Sequence, residues 1–394
     1  MSAPPLFDAA AEEFRLDVCR FLTVELDPAR TVGHEDVEDR TGLDEAFERA
    51  LQRAAGIRGY LGISVDRAFG GGGRPPSWAA AFQYEAAYHD APLIDTALVL
   101  AGAPLIAFGT DAQRAELLPL MLAGELEMCI AYTEPGAGND LSGATTSAAS
   151  MADGFVLKGT KTLITGADKA DYCLTVAVTD PTAELRRRLS MFVVDMRTPG
   201  VSVVGRPTMG RYNLWDVSFD GVILGPDALL GRIGDGWHQL ARAVEEERNG
   251  MFGLGWCQRL FDELVAFCTA QDLLDDPAVA EAVAALWIDL QAGRRSALRL
   301  VDEETRGART RTAGSLAKVR LTELAQRIAA TATELAGPAG AVEGTLFGAA
   351  VPYAAAGGRF CFEYLFRVDG PISVGANELH RNAIAQVGLG LPRA

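Results

Sequence analysis

The sequence predicts an α+β multidomain chain with helical domains at both ends and a β domain between them. Three observations carry this. Residues 1–125 repeat apolar positions at three- and four-residue spacing, residues 126–235 change to short strand-like runs divided by turns, and residues 236–394 return to long helical periodicity. A chain of 394 residues exceeds what one hydrophobic core normally serves, which fits separate packed units.

In the first unit, Leu43 to Leu51 carries apolar residues at helical spacing. Phe69 to Pro76 then breaks the chain. Its four consecutive glycines are not followed by Lys-Ser/Thr, so they read as a loop before the next helix and not as a phosphate cradle. Asp111 is expected to cap a helix running through Gln113 and Leu117 towards Gly124. In the second unit, Gly154–Gly159, Tyr172–Val178 and Met191–Asp195 read as strands, and the polar, Arg-rich Thr179–Arg188 as an exposed connection. In the third, Asp262–Ala270, Pro277–Thr305 and Ala313–Ala336 are helical and separated by turn residues, which predicts an antiparallel four-helix bundle.

Bulk properties narrow the function. A formal net charge of -16 argues against gripping nucleic-acid phosphates or anionic lipid, so no nucleic-acid or membrane partner is expected. No apolar stretch is long enough to span a bilayer, and Met1 to Arg20 lacks the basic-then-apolar run of a signal peptide. The six cysteines are scattered without a Cys-x-x-Cys pair, and the four histidines are equally dispersed. Neither a disulfide framework nor a metal site is expected, and reduced thiols suit a cytoplasmic protein.

The specific residues start in the β domain. Cys129-Ile130-Ala131-Tyr132-Thr133-Glu134-Pro135-Gly136-Ala137-Gly138-Asn139-Asp140 is an extended Pro/Gly loop whose backbone N–H groups can face a ligand. Lys161-Thr162-Leu163-Ile164-Thr165-Gly166 follows one hairpin later, then Met209-Gly210-Arg211, Phe219-Asp220-Gly221, Gly234-Asp235-Gly236-Trp237 and, near the end, Gly375-Ala376-Asn377-Glu378-Leu379-His380-Arg381. In this order and spacing the chain resembles, over essentially its whole length, the acyl-CoA dehydrogenase family. The resemblance implies an N-terminal helical domain, a central β barrel-like domain, a C-terminal four-helix bundle and FAD as cofactor.

It also implies roles. Tyr132 and Thr133 would line the flavin, Thr165 would approach flavin N5, and Leu163 would cover a ring face where the family usually has an aromatic residue. Gly337, Gly340, Asn377 and Glu378 would belong to the cofactor site. Asn139 would lie near the acyl thioester and Arg248 near the pantetheine channel. The substrate would be an acyl-CoA or acyl-carrier-protein thioester, with an electron-transfer flavoprotein or oxygen as acceptor.

The family reaction needs a carboxylate to remove the proton α to the thioester. Many members place it ahead of Asn-Glu, where this chain has Ser373-Val374-Gly375-Ala376. A minority carry it on the helix after the β domain, just before an arginine. Here that place reads Glu245-Glu246-Glu247-Arg248. Leu240, Val244, Glu247, Met251 and Leu254 fall at four- and three-residue steps, so Glu247 interrupts an apolar stripe and is the expected catalytic base.

The segment that family members lend to a neighbouring subunit's FAD departs from the pattern. An Arg-x-x-Phe-Gly element becomes Gln271-Asp272-Leu273-Leu274-Asp275, and a Gln-x-x-Gly-Gly-x-Gly element is reduced to Glu334 to Gly340. Loss of an arginine and gain of acids weaken binding of a pyrophosphate. This leaves a homo-oligomer, or a hetero-oligomer with a related subunit, both open. Two other readings stand beside dehydrogenation: a flavin-dependent monooxygenase on the same fold, and a non-catalytic subunit completing a partner's FAD site.

Overall fold

The computed structural model describes residues 5–27, 43, 45–93, 101–210, 212–246, 250–308, 312–344, 347 and 351–392. Among the described residues five α-helices come first: α1 (Ala9–Glu25), α2 (Glu45–Ile57), α3 (Pro76–Tyr88), α4 (Ala103–Phe108) and α5 (Asp111–Ala123). Thr110, not Asp111, is the N-cap of α5. It forms a capping box in which its side chain accepts from Gln113 N and Gln113 Oε1 accepts from Thr110 N. Asp111 instead adds negative charge to the first turn, and Gly124 closes the helix with φ 69°.

Eight strands follow: β1 (Met128–Ala131), β2 (Ser147–Met151), β3 (Gly154–Ile164), β4 (Tyr172–Val178), β5 (Leu189–Asp195), β6 (Val201–Pro207), β7 (Asn213–Leu224) and β8 (Leu229–Leu230). They form one sheet in the order β6-β7-β3-β2-β4-β5-β8, with β1 paired parallel to β4. β4 is largely apolar because both of its faces are covered, and its buried Thr175 donates its hydroxyl to the Ala131 carbonyl at 2.7 Å. Leu174, Val176 and Val178 join a cluster with Leu105, Leu117 and Met121, while Cys173 and Ala177 pack with Phe192, Val194 and Val217 on the other side.

The remaining helices are α6 (Gly236–Glu246), α7 (Met251–Ala270), α8 (Pro277–Thr305), α9 (Ala313–Leu335), α10 (Arg359–Phe366) and α11 (Asn377–Ala383). α7, α8 and α9 surround one core containing Leu254, Leu264, Leu290, Leu321 and Ile328. Cys257 on α7 meets the Leu321 carbonyl, and Arg327 on α9 pairs with Asp289 on α8 at 2.7 Å. α7 and α9 therefore run in the same direction, with α8 antiparallel to both. Among the described residues no helix is long and apolar enough to cross a membrane.

α3 is clamped on α7 through Gly255. A Cβ at that position would lie 2.4 Å from the Tyr84 carbonyl oxygen and 2.7 Å from Ala87 Cβ. Gly255→Ala should lower the thermal unfolding midpoint, by about 1–3 kcal/mol in stability, through overpacking. A raised midpoint would mean that the contact gives way and that alanine's better helix propensity prevails.

Candidate active site

β1 ends at Ala131, and the chain then turns sharply back: Glu134 and Ala137 exchange both backbone hydrogen bonds, at 2.8 and 3.0 Å. Pro135 and Gly136 form the tip of this turn. The turn is held to β3 from two directions. Thr162 N donates to the Thr133 carbonyl at 2.9 Å, and Lys161 Nζ donates to the Tyr132 carbonyl at 3.2 Å. The Tyr132–Thr133 backbone is thereby held against β3 just before Leu163, while the Tyr132 ring packs against the cluster of Leu105, Leu174 and Met191.

Beneath the turn lies a buried ion pair that sequence reasoning assigned no role. Lys161 is 0% exposed and Glu134 4% exposed, with Nζ and Oε1 2.8 Å apart. Glu134 also accepts from Thr145 N at 2.7 Å, Thr145 Oγ1 at 2.8 Å and Thr146 N at 3.0 Å. Burial acts to raise the Glu134 pKa, but the Lys161 ammonium and the Thr145 bonds outweigh it and hold the carboxyl at about 2. Burial draws Lys161 below the ordinary lysine range while Glu134 opposes it, and the two acceptors on Nζ fit the protonated form. Strand parity could have found this pair: on β3, Lys161 shares its inward side with Phe155 and Leu157.

Past Lys161 the β3–β7 register shifts, and Leu163 takes φ 59°. A branched side chain in that region costs about 1–2 kcal/mol. The result is an apolar residue pushed to 54% exposure; Thr133 is half-buried and Thr165 exposed. An apolar cap with hydroxyl-bearing neighbours and free-standing backbone suits one face and the polar edge of a planar heteroaromatic ring, and these residues fit a flavin.

Asn139 ties the β domain to the C-terminal unit: its Oδ1 accepts from Ala376 N at 3.2 Å. Asn377 is buried at the start of α11. It accepts from Lys318 Nζ at 2.8 Å and donates to Glu323 Oε1 at 2.9 Å, while its N bonds the Pro371 carbonyl. Lys318 also donates to the Gly375 carbonyl at 2.9 Å, and His380 lies between Ser315 Oγ and the Val374 carbonyl. Asn377 is thus a positioning residue for the 373–377 turn, and Glu378 is exposed beside it.

Gly337 and Gly340 are not brought to this cluster. Asn377 contacts α9 at Thr322, and fifteen residues further on, about 22 Å along the helix axis, lies Gly337. Gln271 to Asp276 stands at that same far end, where α7 finishes and α8 begins.

Glu247 and Arg248 lie outside the described residues. α6 leads directly towards them, with Leu240 packed in the cluster that holds Leu105 and Met191. The apolar stripe that singled out Glu247 does not run through a single helix, however. Gly250 takes φ 72° and starts α7, so Met251 and Leu254 belong to a new helix.

Three family models match the chain: acyl-CoA dehydrogenase N-terminal domain at residues 8–125, middle domain at 129–222 and C-terminal domain at 234–389. The acyl-CoA dehydrogenase IpdE1 of Mycolicibacterium smegmatis is 30% identical, covering 97% of this chain and 98% of the relative. The acyl-CoA dehydrogenase FadE29 of Mycobacterium tuberculosis is 33% identical over 56% of this chain and 57% of its own length. Among solved structures, the Tcur3481-Tcur3483 steroid ACAD superposes with TM-score 0.91 at 27% identity, covering 98% of this chain and 99% of that one. The ChsE4-ChsE5 complex from Mycobacterium tuberculosis shares the fold, with TM-score 0.87 at 24% identity and full coverage of both chains.

Lys161→Met removes the cation from a buried carboxylate and should cost about 3–5 kcal/mol, seen as a lower unfolding midpoint together with loss of bound flavin. An unchanged midpoint would remove the pair from its central place. The depressed Glu134 pKa sets a pH signature. Its contribution is complete above the ordinary value of 4.5 and is lost as pH falls from there towards about 2. The stability gap between wild type and Glu134→Gln should therefore narrow across that window and stay constant above it.

Proposed function

The chain belongs to the acyl-CoA dehydrogenase family, and on that premise we propose that it catalyses α,β-dehydrogenation of an acyl-CoA or acyl-carrier-protein thioester with Glu247 as base. Membership makes it an FAD-dependent oxidoreductase of CH–CH groups. The observation that carries the proposal is the Thr133 backbone bonded to β3 beside an outward-facing Leu163, with Asn139 tied to the C-terminal unit. FAD, when bound, supplies the hydride acceptor.

The chain's own residues do the rest. The Tyr132–Thr133 backbone and the Leu163 side chain hold and cover the ring, and Thr133 and Thr165 offer hydroxyls to its polar edge. Asn139 stands where the β domain meets the 373–377 turn, suited to orient a thioester. Arg248 would meet the pantetheine arm shared by both carriers. Glu247 would take the proton from the α-carbon. Val374, in the place where many relatives carry that acid, has no proton-accepting group. Leu105 and Leu240, buried in one apolar cluster, would help to keep water from the acyl side. The free thiols and acidic surface suit the cytoplasm, and an electron-transfer flavoprotein or oxygen would reoxidise the enzyme.

We further propose a hetero-oligomer. The segment lent to a neighbour in related homo-oligomers has exposed Asp272, Asp275 and Asp276 in place of an arginine, and Asp276 is committed to capping α8. Like charges there oppose a pyrophosphate, whereas the half of the site kept by the chain is well ordered by hydrogen bonds. A related subunit would supply the missing cation. One structural neighbour is described as the ChsE4-ChsE5 complex and another carries two protein names, Tcur3481-Tcur3483, which supports this reading.

Glu247→Gln should retain the flavin content of the wild-type assembly and lose at least about a hundredfold in turnover, together with solvent exchange at the substrate α-carbon. Unchanged turnover would exclude Glu247 as base. Purified by itself, the folded chain should carry well under one flavin per protomer by visible absorbance. A full complement would show that it needs no partner subunit.

A further inference from the structure

At the junction of α1, α3, α7 and α8, away from the surface around Thr133, lies a cavity of about 350 Å³. Cys19 and Glu85 line it, and His89 stands one turn beyond Glu85. Sequence spacing predicted no metal site, because Cys19 is separated from Glu85 by most of the N-terminal unit. The fold brings one ligand atom from each of Cys19, Glu85 and His89 within 4.8 Å of one another.

The geometry of the three is ordered. His89 Nδ1 lies 3.0 Å from the Glu85 backbone carbonyl and 3.4 Å from Glu85 Oε2, an arrangement in which Nδ1–H points to Glu85 and Nε2 keeps its lone pair. That lone pair is on the Cys19 side, with Nε2 and Sγ 3.9 Å apart. A tetrahedral zinc with bonds of about 2.3 Å to sulfur and 2.0 Å to nitrogen would set them roughly 3.5 Å apart, within a small side-chain adjustment. Glu85 is 2% exposed, and Arg15 holds its Oε1, so the carboxylate is oriented by a partner. Glu12, which also lines the cavity, has Oε1 on Arg15 and a buried Oε2 without a hydrogen-bond partner among the described residues.

We propose that Cys19, Glu85 and His89 bind one zinc-class divalent cation, with the fourth position open to the cavity. Mixed sulfur, nitrogen and oxygen donors favour such an ion over magnesium or calcium. Binding would release the Cys19 thiol proton to solvent and place a thiolate, a carboxylate and a neutral imidazole on the metal. The charges then balance: the cation and Arg15 together offset Cys19, Glu85 and Glu12. The ion would staple α1 to α3.

The test is titration of the purified, chelator-treated full chain with cobalt(II), read as a difference spectrum against the unloaded protein. One cobalt per chain is expected, with a sulfur-to-cobalt charge-transfer band. Cys19→Ser should abolish the band, His89→Gln should weaken affinity at least about tenfold, and Cys361→Ser should change neither. Zinc should also shield Cys19, but not Cys361, from alkylation mapped by mass spectrometry in the wild-type chain, a readout independent of how any variant folds. Failure to take up stoichiometric metal, equal affinity in Cys19→Ser, or alkylation of Cys19 unaffected by zinc would each overturn the assignment.

Discussion

Lys161 and Glu134 meet where the end of β1 turns back against β3, and water reaches neither. An unpaired ammonium or carboxylate could not remain there. Each charge therefore requires the other, and the requirement reinforces the register that the Thr162 N–Thr133 carbonyl bond sets between the two segments. Nζ reaches past the carboxylate to the Tyr132 carbonyl, while the carboxylate gathers Thr145 and Thr146. The loop, the start of β2 and the middle of β3 are fastened at one point. The neighbouring residues Thr133, Leu163 and Thr165 inherit their placement from it. Such a pair is a poor source of net stability compared with apolar packing, so its value here is conformational specificity.

The helical bundle imposes a second constraint, of distance. α9 meets Asn377 near its start and Gly337 just beyond its end, and no bend in a packed helix closes that gap. The two groups of residues that the family devotes to FAD thus lie at opposite ends of one rigid rod. The far end is therefore separate from the Asn377 cluster and close to the segment from Gln271 to Asp275. The two ends differ in kind here. Around Asn377 there is a dense set of bonds to Lys318, Thr322 and Glu323; at the far end, Asp272 and Asp275 are exposed.

What was legible in the sequence follows the same division between local and distant physics. Tyr172–Val178 and Pro277–Thr305 could be read to the residue, because an apolar run between turn signals and an uninterrupted helical repeat are local patterns. Thr110 was missed as a cap because Asp111 is also a good capping residue, and only the capping box with Gln113 separates them. The grouping of Thr133 with Leu163 was legible through resemblance alone, since nothing in either segment announces the other. Lys161 was passed over because a lysine in a strand is ordinarily assigned to the solvent side. The stripe through Glu247 failed for a definite reason: helical phase was carried across Gly250, whose left-handed backbone resets it.

The 373–377 turn shows what survives when a catalytic group moves. Val374 has no proton to exchange, and at φ 56° it occupies a region costly for a β-branched residue. A turn kept only as a connection would have shed that cost by relaxing. Instead Lys318 holds the Gly375 carbonyl, His380 holds the Val374 carbonyl, and Asn139 reaches across from the β domain to Ala376 N. These bonds preserve the backbone shape, and with it the closure between the two domains, although the acid found there in many relatives is absent. Glu247 is the residue proposed for the proton-accepting role in its place; α6, packed against α4, ends one residue before it in the chain.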